Sequence, residues 1–148
     1  MSSHYVGTKT VIAQAMTRLA YNEYRGWTLP ADENGADEGY LVEYTDGGTP
    51  NHPDHAGYIS WSPKAQFDAA YLSMGYIDHL LPHQQRVIAE RVQLSDKVEK
   101  LSTFVNGQQF TTLTELEARQ LLKQLQAMRE YLAMLSERIA SFGDGPSA

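Results

Sequence analysis

The chain contains no cysteine among its 148 residues, which excludes disulfide frameworks, thiolate metal sites, iron–sulfur clusters and thiol nucleophiles. Nothing in that usage points to an oxidising compartment, and the expected location is the cytoplasm. Long apolar runs are missing as well. No stretch approaches the roughly 20 residues that a membrane span requires, and the start, MSSHYVGTKTVIAQAM, lacks the basic flank and apolar segment of an export signal. A soluble protein with no membrane partner is expected. Positive charge is scarce too: 12 Lys and Arg face 18 Asp and Glu, a net charge of −6. Phosphate neutralisation therefore gives no drive toward duplex nucleic acid. The signatures G-x-S-x-G, H-E-x-x-H, the phosphate-binding P-loop and the dinucleotide G-x-G-x-x-G are all absent. The expectation is a protein that is not an enzyme and holds no cofactor.

What is present divides near Gly75. Residues 1–75 hold seven of the nine Tyr, both Trp and only four basic side chains, whereas residues 76–148 are rich in Leu, Gln, Glu and Arg. That contrast reads as an α+β fold, a small β-rich lobe with short helices followed by a long antiparallel helical hairpin. The hairpin follows from periodicity. Ala118, Leu121, Leu125, Met128, Leu132, Leu135, Ile139 and Phe142 step by three and four, Thr114 with Glu117 forms a capping box, and Gly143 stands where a helix stops. This predicts a helix over about 115–142. Val87, Leu94, Val98, Leu101 and Val105 keep the same rhythm, with Arg91 at the polar seam position, and predict a partner helix over about 83–105. Asn106-Gly107 breaks the pattern, and Phe110 and Leu113 fold back as a plug. Two long helices alone cannot bury both faces, so the hairpin packs on the first lobe, on a second copy, or on both. In the first lobe, Thr10–Met16 reads as a strand, Thr17 caps a short helix ended by Gly26, and Gly39–Tyr44 and Gly57–Trp61 read as two more strands. Ser62 then caps a helix with Pro63 at its first position.

Three groups of residues carry possible chemistry. His52-Pro53-Asp54-His55, and Asp78-His79 with His83, offer nitrogen and carboxylate ligands, but Pro82 interrupts the second set and the first lies in a Pro- and Asn-rich loop where His and Asp serve as turn residues. No metal is expected. Tyr21, Tyr24, Arg25 and Trp27 in one segment, with Tyr58, Trp61, Ser62 and Lys64 in another, combine flat rings for stacking with cations for phosphate and a helix start for an anion. The same aromatic residues also suit the core of a small lobe. On the hairpin, Arg86, Arg91, Lys97 and Lys100 line either a second anion groove between copies or a solvated face paired with Glu90, Asp96 and Glu99.

Gly39-Tyr40-Leu41-Val42-Glu43-Tyr44, Asp46-Gly47-Gly48, Asn51 and Gly57-Tyr58-Ile59-Ser60-Trp61-Ser62-Pro63, preceded by Tyr24-Arg25-Gly26-Trp27, resemble a recurrent module of small tailed-phage and prophage proteins. The strand Trp before a short helix with Asp68 is similar to Thoeris anti-defence proteins that sequester cyclic ADP-ribose signals. Leu81-Pro82-His83-Gln84-Gln85-Arg86-Val87, with Glu99-Lys100-Leu101, Phe104, Phe110, Leu113, Gln124-Leu125, Met128, Glu130-Tyr131, Leu135 and Glu137-Arg138-Ile139, resembles a helical module of phage anti-CBASS sponges. The resemblances imply a homo-oligomer, assembled through the hairpin in the host cytoplasm, that binds a nucleotide-derived second messenger without cleaving it. On that reading Tyr24, Trp27 and Trp61 stack on bases. Arg25, Lys64 and the helix start at Ser62 hold phosphate, Glu43 or Asp46 accepts from ribose or base donors, and Arg91 serves a pocket between hairpins. The competing expectation is an adaptor that docks a host protein through the hairpin face. A third is an enzyme that degrades the signal with His52 and His55.

Overall fold

A computed structural model describes residues 1–143 and divides the chain into two compact units, the first ending at Tyr71 and the second beginning at Leu72. The fold is α+β. The first unit is a three-stranded antiparallel sheet, β1 (Val11–Ala15), β2 (Gly39–Tyr44) and β3 (Tyr58–Pro63), in the order β1-β2-β3, with α1 (Arg18–Arg25) between β1 and β2 and α2 (Lys64–Ala70) after β3.

Register assigns the faces. Leu41 lies opposite Trp61 and Glu43 opposite Ile59, while Tyr40 lies opposite Ser62 and Tyr44 opposite Tyr58. Alternation therefore puts Leu41, Ile59 and Trp61 on one face. Tyr21 of α1 closes over that face to form the core with Leu41 and Ile59, and Met16 and Trp61 pack against it. On the opposite face Phe67 of α2 stacks on Tyr40 at 4.2 Å. Helix α1 is short but well bounded. Thr17 Oγ1 accepts from the Ala20 N–H at 3.2 Å, and Gly26 ends the helix at φ 72°, a left-handed conformation that costs glycine no steric penalty.

Several boundaries differ from the sequence-based expectation: β3 runs Tyr58–Pro63 rather than Gly57–Trp61, and α4 ends at Ala140 rather than at 142. Strand β1 is shorter than Thr10–Met16. Ser62 does not cap a helix: it is paired within β3, and Pro63 occupies the position before α2, with no side-chain cap. The alternation of β3 continues through Ser62, and ladder pairing keeps this serine extended.

The second unit is the helical hairpin, α3 (Pro82–Val105) and α4 (Glu115–Ala140), joined through a 3-10 turn over Gln108–Thr112. The Thr114–Glu117 capping box is formed, with Glu117 N–H donating to Thr114 Oγ1 and Thr114 N–H to the Glu117 carboxylate. A second 3-10 turn, Ser141–Gly143, follows α4. Val87, Leu125 and Leu135 are the buried centre of the seam, and Phe110 turns its ring edge-on to Phe104. Because Leu135 is 1% exposed and Leu122 is 50% exposed on the same helix, Leu135→Ala is expected to cost about 2–5 kcal/mol and Leu122→Ala less than about 1 kcal/mol. Denaturant melts of the two variants check this ordering, and equal losses would contradict the seam.

Candidate aromatic and guanidinium cleft

The loop after α1 returns along the start of the helix, with Arg18 N–H donating to Asp37 O and Leu19 N–H to Gly35 O, both at 3.0 Å. Between this loop, α1 and β3 lies a cleft of about 510 Å³ lined by Arg18, Tyr21, Arg25, Trp27, Glu33, Asn51, Tyr58 and Trp61, among others. That volume falls in the range of sites that hold a small molecule.

Two guanidinium–indole pairs dominate the cleft. Arg18 lies over the Trp61 ring at 4.4 Å and Arg25 over the Trp27 ring at 4.4 Å, where the ring face attracts the cation. The surroundings of the two arginines differ. Arg18 donates to Asp37 Oδ2 at 3.2 Å and has Glu33 at 3.6 Å, and its Nε–H is buried without a hydrogen-bond partner. Arg25 donates to the Tyr21 hydroxyl at 3.2 Å and, among the described residues, makes no ion pair. Trp61 is fixed from behind, its indole N–H donating to Met16 O at 2.8 Å. Its ring crosses so close to Gly39 that a β-carbon there would strike the indole and the Ser62 carbonyl. Trp27 is 52% exposed and meets Tyr21 edge-on, so a flat surface stays open to solvent.

The β2–β3 loop supplies the far wall. The Asn51 side chain donates to Ile59 O at 2.9 Å and accepts from Ile59 N–H at 2.8 Å, satisfying the open edge of β3 as a neighbouring strand would. Beside it is a clasp. Glu43 Oε1 accepts from His55 Nδ1 at 2.6 Å, Glu43 Oε2 accepts from Gly57 N–H at 3.2 Å, and His55 Nε2 lies 2.7 Å from the Tyr24 hydroxyl. A carboxylate only accepts, so Nδ1 carries the hydrogen, and in the neutral ring Nε2 takes the phenol's proton in hydrogen bonding. His52 stacks on Tyr24 at 4.5 Å. These histidines are turn residues, as His55 N–H donating to His52 O indicates, and they also tie the loop to α1. Among the described residues no group of three or more His, Asp or Glu is arranged to hold a metal.

The nominated residues therefore separate. Arg25, Trp27 and Trp61 share the cleft. Tyr24 and Glu43 are taken up by the clasp, with one face of Tyr24 already covered by His52. Asp46 is exposed in the β2–β3 loop. Lys64 borders a different recess, with Tyr40 and Glu38, and is paired with Asp68 at 2.8 Å. With Ser62 in the strand, the anticipated phosphate-binding helix start is replaced by a seven-residue helix without a side-chain cap. Arg91 belongs to the second unit, where it is exposed and donates to Ser136 Oγ at 2.9 Å across the hairpin. Arg18, Glu33 and Asn51 were not singled out as site residues. The Asn51-to-Ile59 spacing across a turn offered a faint signal for the last of them, and nothing local marks the other two.

With the geometry in place, comparison with known proteins adds two findings. A family model described as Sequestin matches residues 81–141, within the second unit. A phage T4 protein described as an "Uncharacterized 7.5 kDa protein in denB-rIIB intergenic region" is 38% identical over 63 residues, covering 43% of this chain and 98% of that protein. The chain belongs to the family of this phage protein. No solved structure matches it. No helix among the described residues is long and apolar enough to cross a membrane.

The clasp predicts a titration. Loss of hydration against the loop, and then the Asp54 and Glu43 carboxylates, raise the Tyr24 phenol above its ordinary 10.0. The unfolded chain releases this proton first, so the clasp's contribution is fully present below pH 10.0 and fades as pH rises through the folded value. Difference ultraviolet titration of the protein against Tyr24→Phe should remove a component ionising above 10.0. A missing component at or below that value would contradict the clasp.

Proposed function

We propose that the chain is a phage immune-evasion protein that binds and sequesters a nucleotide-derived second messenger, of the cyclic oligonucleotide or cyclic ADP-ribose type, without cleaving it. The observation that carries this reading is the cleft of about 510 Å³, in which an open indole, Trp27, adjoins an arginine, Arg25, that has no carboxylate partner among the described residues. Stacking on the ring and a charge-assisted contact from the guanidinium are what a nucleobase and its phosphate require. The family's description as Sequestin supports the withholding part of the proposal, although its match lies in the second unit.

Sequestration needs slow release rather than a reacting group. The clasp atoms Glu43, His55 and Tyr24 are bonded to one another, and their role in this reading is to hold the loop that carries Asn51. The hairpin assembles copies in the host cytoplasm. Leu116, Tyr131 and Met134 fall along one stripe of α4 and remain exposed, the kind of surface a second copy covers.

Thermal shift against cyclic dinucleotides, cyclic trinucleotides and cyclic ADP-ribose isomers, with solution mass measured on the same sample, tests the reading. A ligand at a hundredfold its Kd is expected to add about 2.7 kcal/mol. Trp27→Ala should remove that shift while leaving the unliganded melt within about 1 kcal/mol of the parent, since the ring is already half exposed. No shift with any member, on a protein that still forms an oligomer, would point instead to an adaptor docking a host protein through the hairpin.

A further inference from the structure

Independently of the nucleotide reading, we infer that the outer edge of β1 is an interface for a second copy of this chain, the two β1 strands pairing antiparallel about a two-fold axis at Ala13. The Met16 N–H donates to Gly39 O at 2.9 Å, which makes these two residues a hydrogen-bonded pair of the β1–β2 ladder. Alternation from that pair turns the backbone groups of Gln14 and Ile12 toward Leu41 and Glu43, and those of Val11, Ala13 and Ala15 outward. The sheet order leaves β1 and β3 as the two edges, and they are treated differently. At β3 the outward N–H and C=O of Ile59 are both taken by the Asn51 side chain. At β1, among the described residues, no turn, loop or cap bond reaches Val11, Ala13 or Ala15, and residues 1–10 are exposed rather than folded along the strand.

The edge also lacks the devices that keep strands apart. Val11-Ile12-Ala13-Gln14-Ala15 contains no proline and no charged side chain, its register with β2 has no bulge, and Ile12 is 56% exposed. The arrangement of its free groups names the occupant. They stand at Val11, Ala13 and Ala15, symmetric about the middle residue, so a second β1 running antiparallel meets every donor with an acceptor. Ala13 exchanges both bonds with the partner's Ala13, and Val11 exchanges both with the partner's Ala15. An uncharged strip is also where two chains of net charge −6 approach with least repulsion. In this register Ile12 lies opposite the partner's Gln14, whose stem covers it, and the small side chains of Ala13 meet without a clash. The two sheets become one continuous sheet. Because the axis is normal to that sheet, the α1 sides of both copies face the same way. Five residues a side make a small interface, so the pairing is best read by trapping it.

The absence of cysteine from the chain makes the test clean. Single variants Ala13→Cys, Val11→Cys and Ala15→Cys of the full chain are oxidised under mild conditions, and the covalent dimer is followed with time on a non-reducing gel. Side chains opposite one another across antiparallel strands lie within reach of a disulfide after a small adjustment. Ala13→Cys should therefore form the dimer about tenfold faster than either other variant alone, because two copies of Val11, or of Ala15, stand about 13 Å apart along the paired strands. A mixture of Val11→Cys and Ala15→Cys should instead give the mixed dimer in preference to either homodimer. A separate pair keeps the inference testable without a covalent bond. Ala13→Lys and Ala13→Glu each place like charges opposite one another and should lower the solution mass, and mixing the two should restore it. Equal rates for the three cysteine variants, fastest dimerisation of Val11→Cys or Ala15→Cys alone, or charge variants that keep the parent's mass overturn the inference. Each of those results leaves the nucleotide reading standing, since none of these residues lines the cleft.

Discussion

The first unit is organised around one side chain held at three points. Trp61 donates its indole N–H to the Met16 carbonyl at 2.8 Å, lies against Gly39 where no β-carbon fits, and carries Arg18 over its ring at 4.4 Å. The indole is partly buried and its N–H is satisfied by this contact, which joins the residue after β1 to the middle of β3 just ahead of α1. With three strands and little buried beyond Tyr21, Leu41, Val42 and Ile59, a unit of this size has few other ways to set the orientation of its helix.

The cleft is a consequence of the same contact. Once Arg18 is drawn over Trp61, Asp37 and Glu33 of the returning loop pair with it, and that loop borders the cleft. Arg25, two turns along α1, makes no ion pair among the described residues and lies over Trp27 instead. The far wall is set by an unrelated device, the Asn51 amide on the edge of β3, and the Glu43–His55–Tyr24 clasp holds that loop to the helix. Polar groups here are spent on positioning one another, which is why a small lobe can present an open indole beside a guanidinium that has no carboxylate partner among the described residues.

The sequence was most legible where one periodicity ran long. The α4 seam, its Thr114–Glu117 cap and the break at Asn106-Gly107 follow from residue spacing alone, because eight apolar positions at three-four steps leave no other regular structure. Strand β2 and the Gly26 stop were equally plain. Serine at position 62 was misread because a Ser-Pro pair signals a helix start locally, while the β2 ladder extends β3 through it. The site was half legible. Arg25, Trp27 and Trp61 were visible as aromatic and cationic residues, but Arg18 and Glu33 become cleft residues only when the loop returns along α1, a non-local event. Tyr24 and Glu43 looked like ligand groups because nothing in their neighbourhood announced that His55, 31 residues from Tyr24, would occupy both.

The Sequestin match and the cleft fall in different parts of the chain, since the match covers residues 81–141 and the cleft is built from residues 18–61. The two belong together if the protein withholds one class of signal. Mass spectrometry of the small molecules released by heat from protein purified out of bacteria with an activated nucleotide-signalling defence tests that directly. An intact cyclic nucleotide signal, absent from the Trp27→Ala protein, is the predicted result. Protein that releases no nucleotide, or only cleaved products, would contradict it.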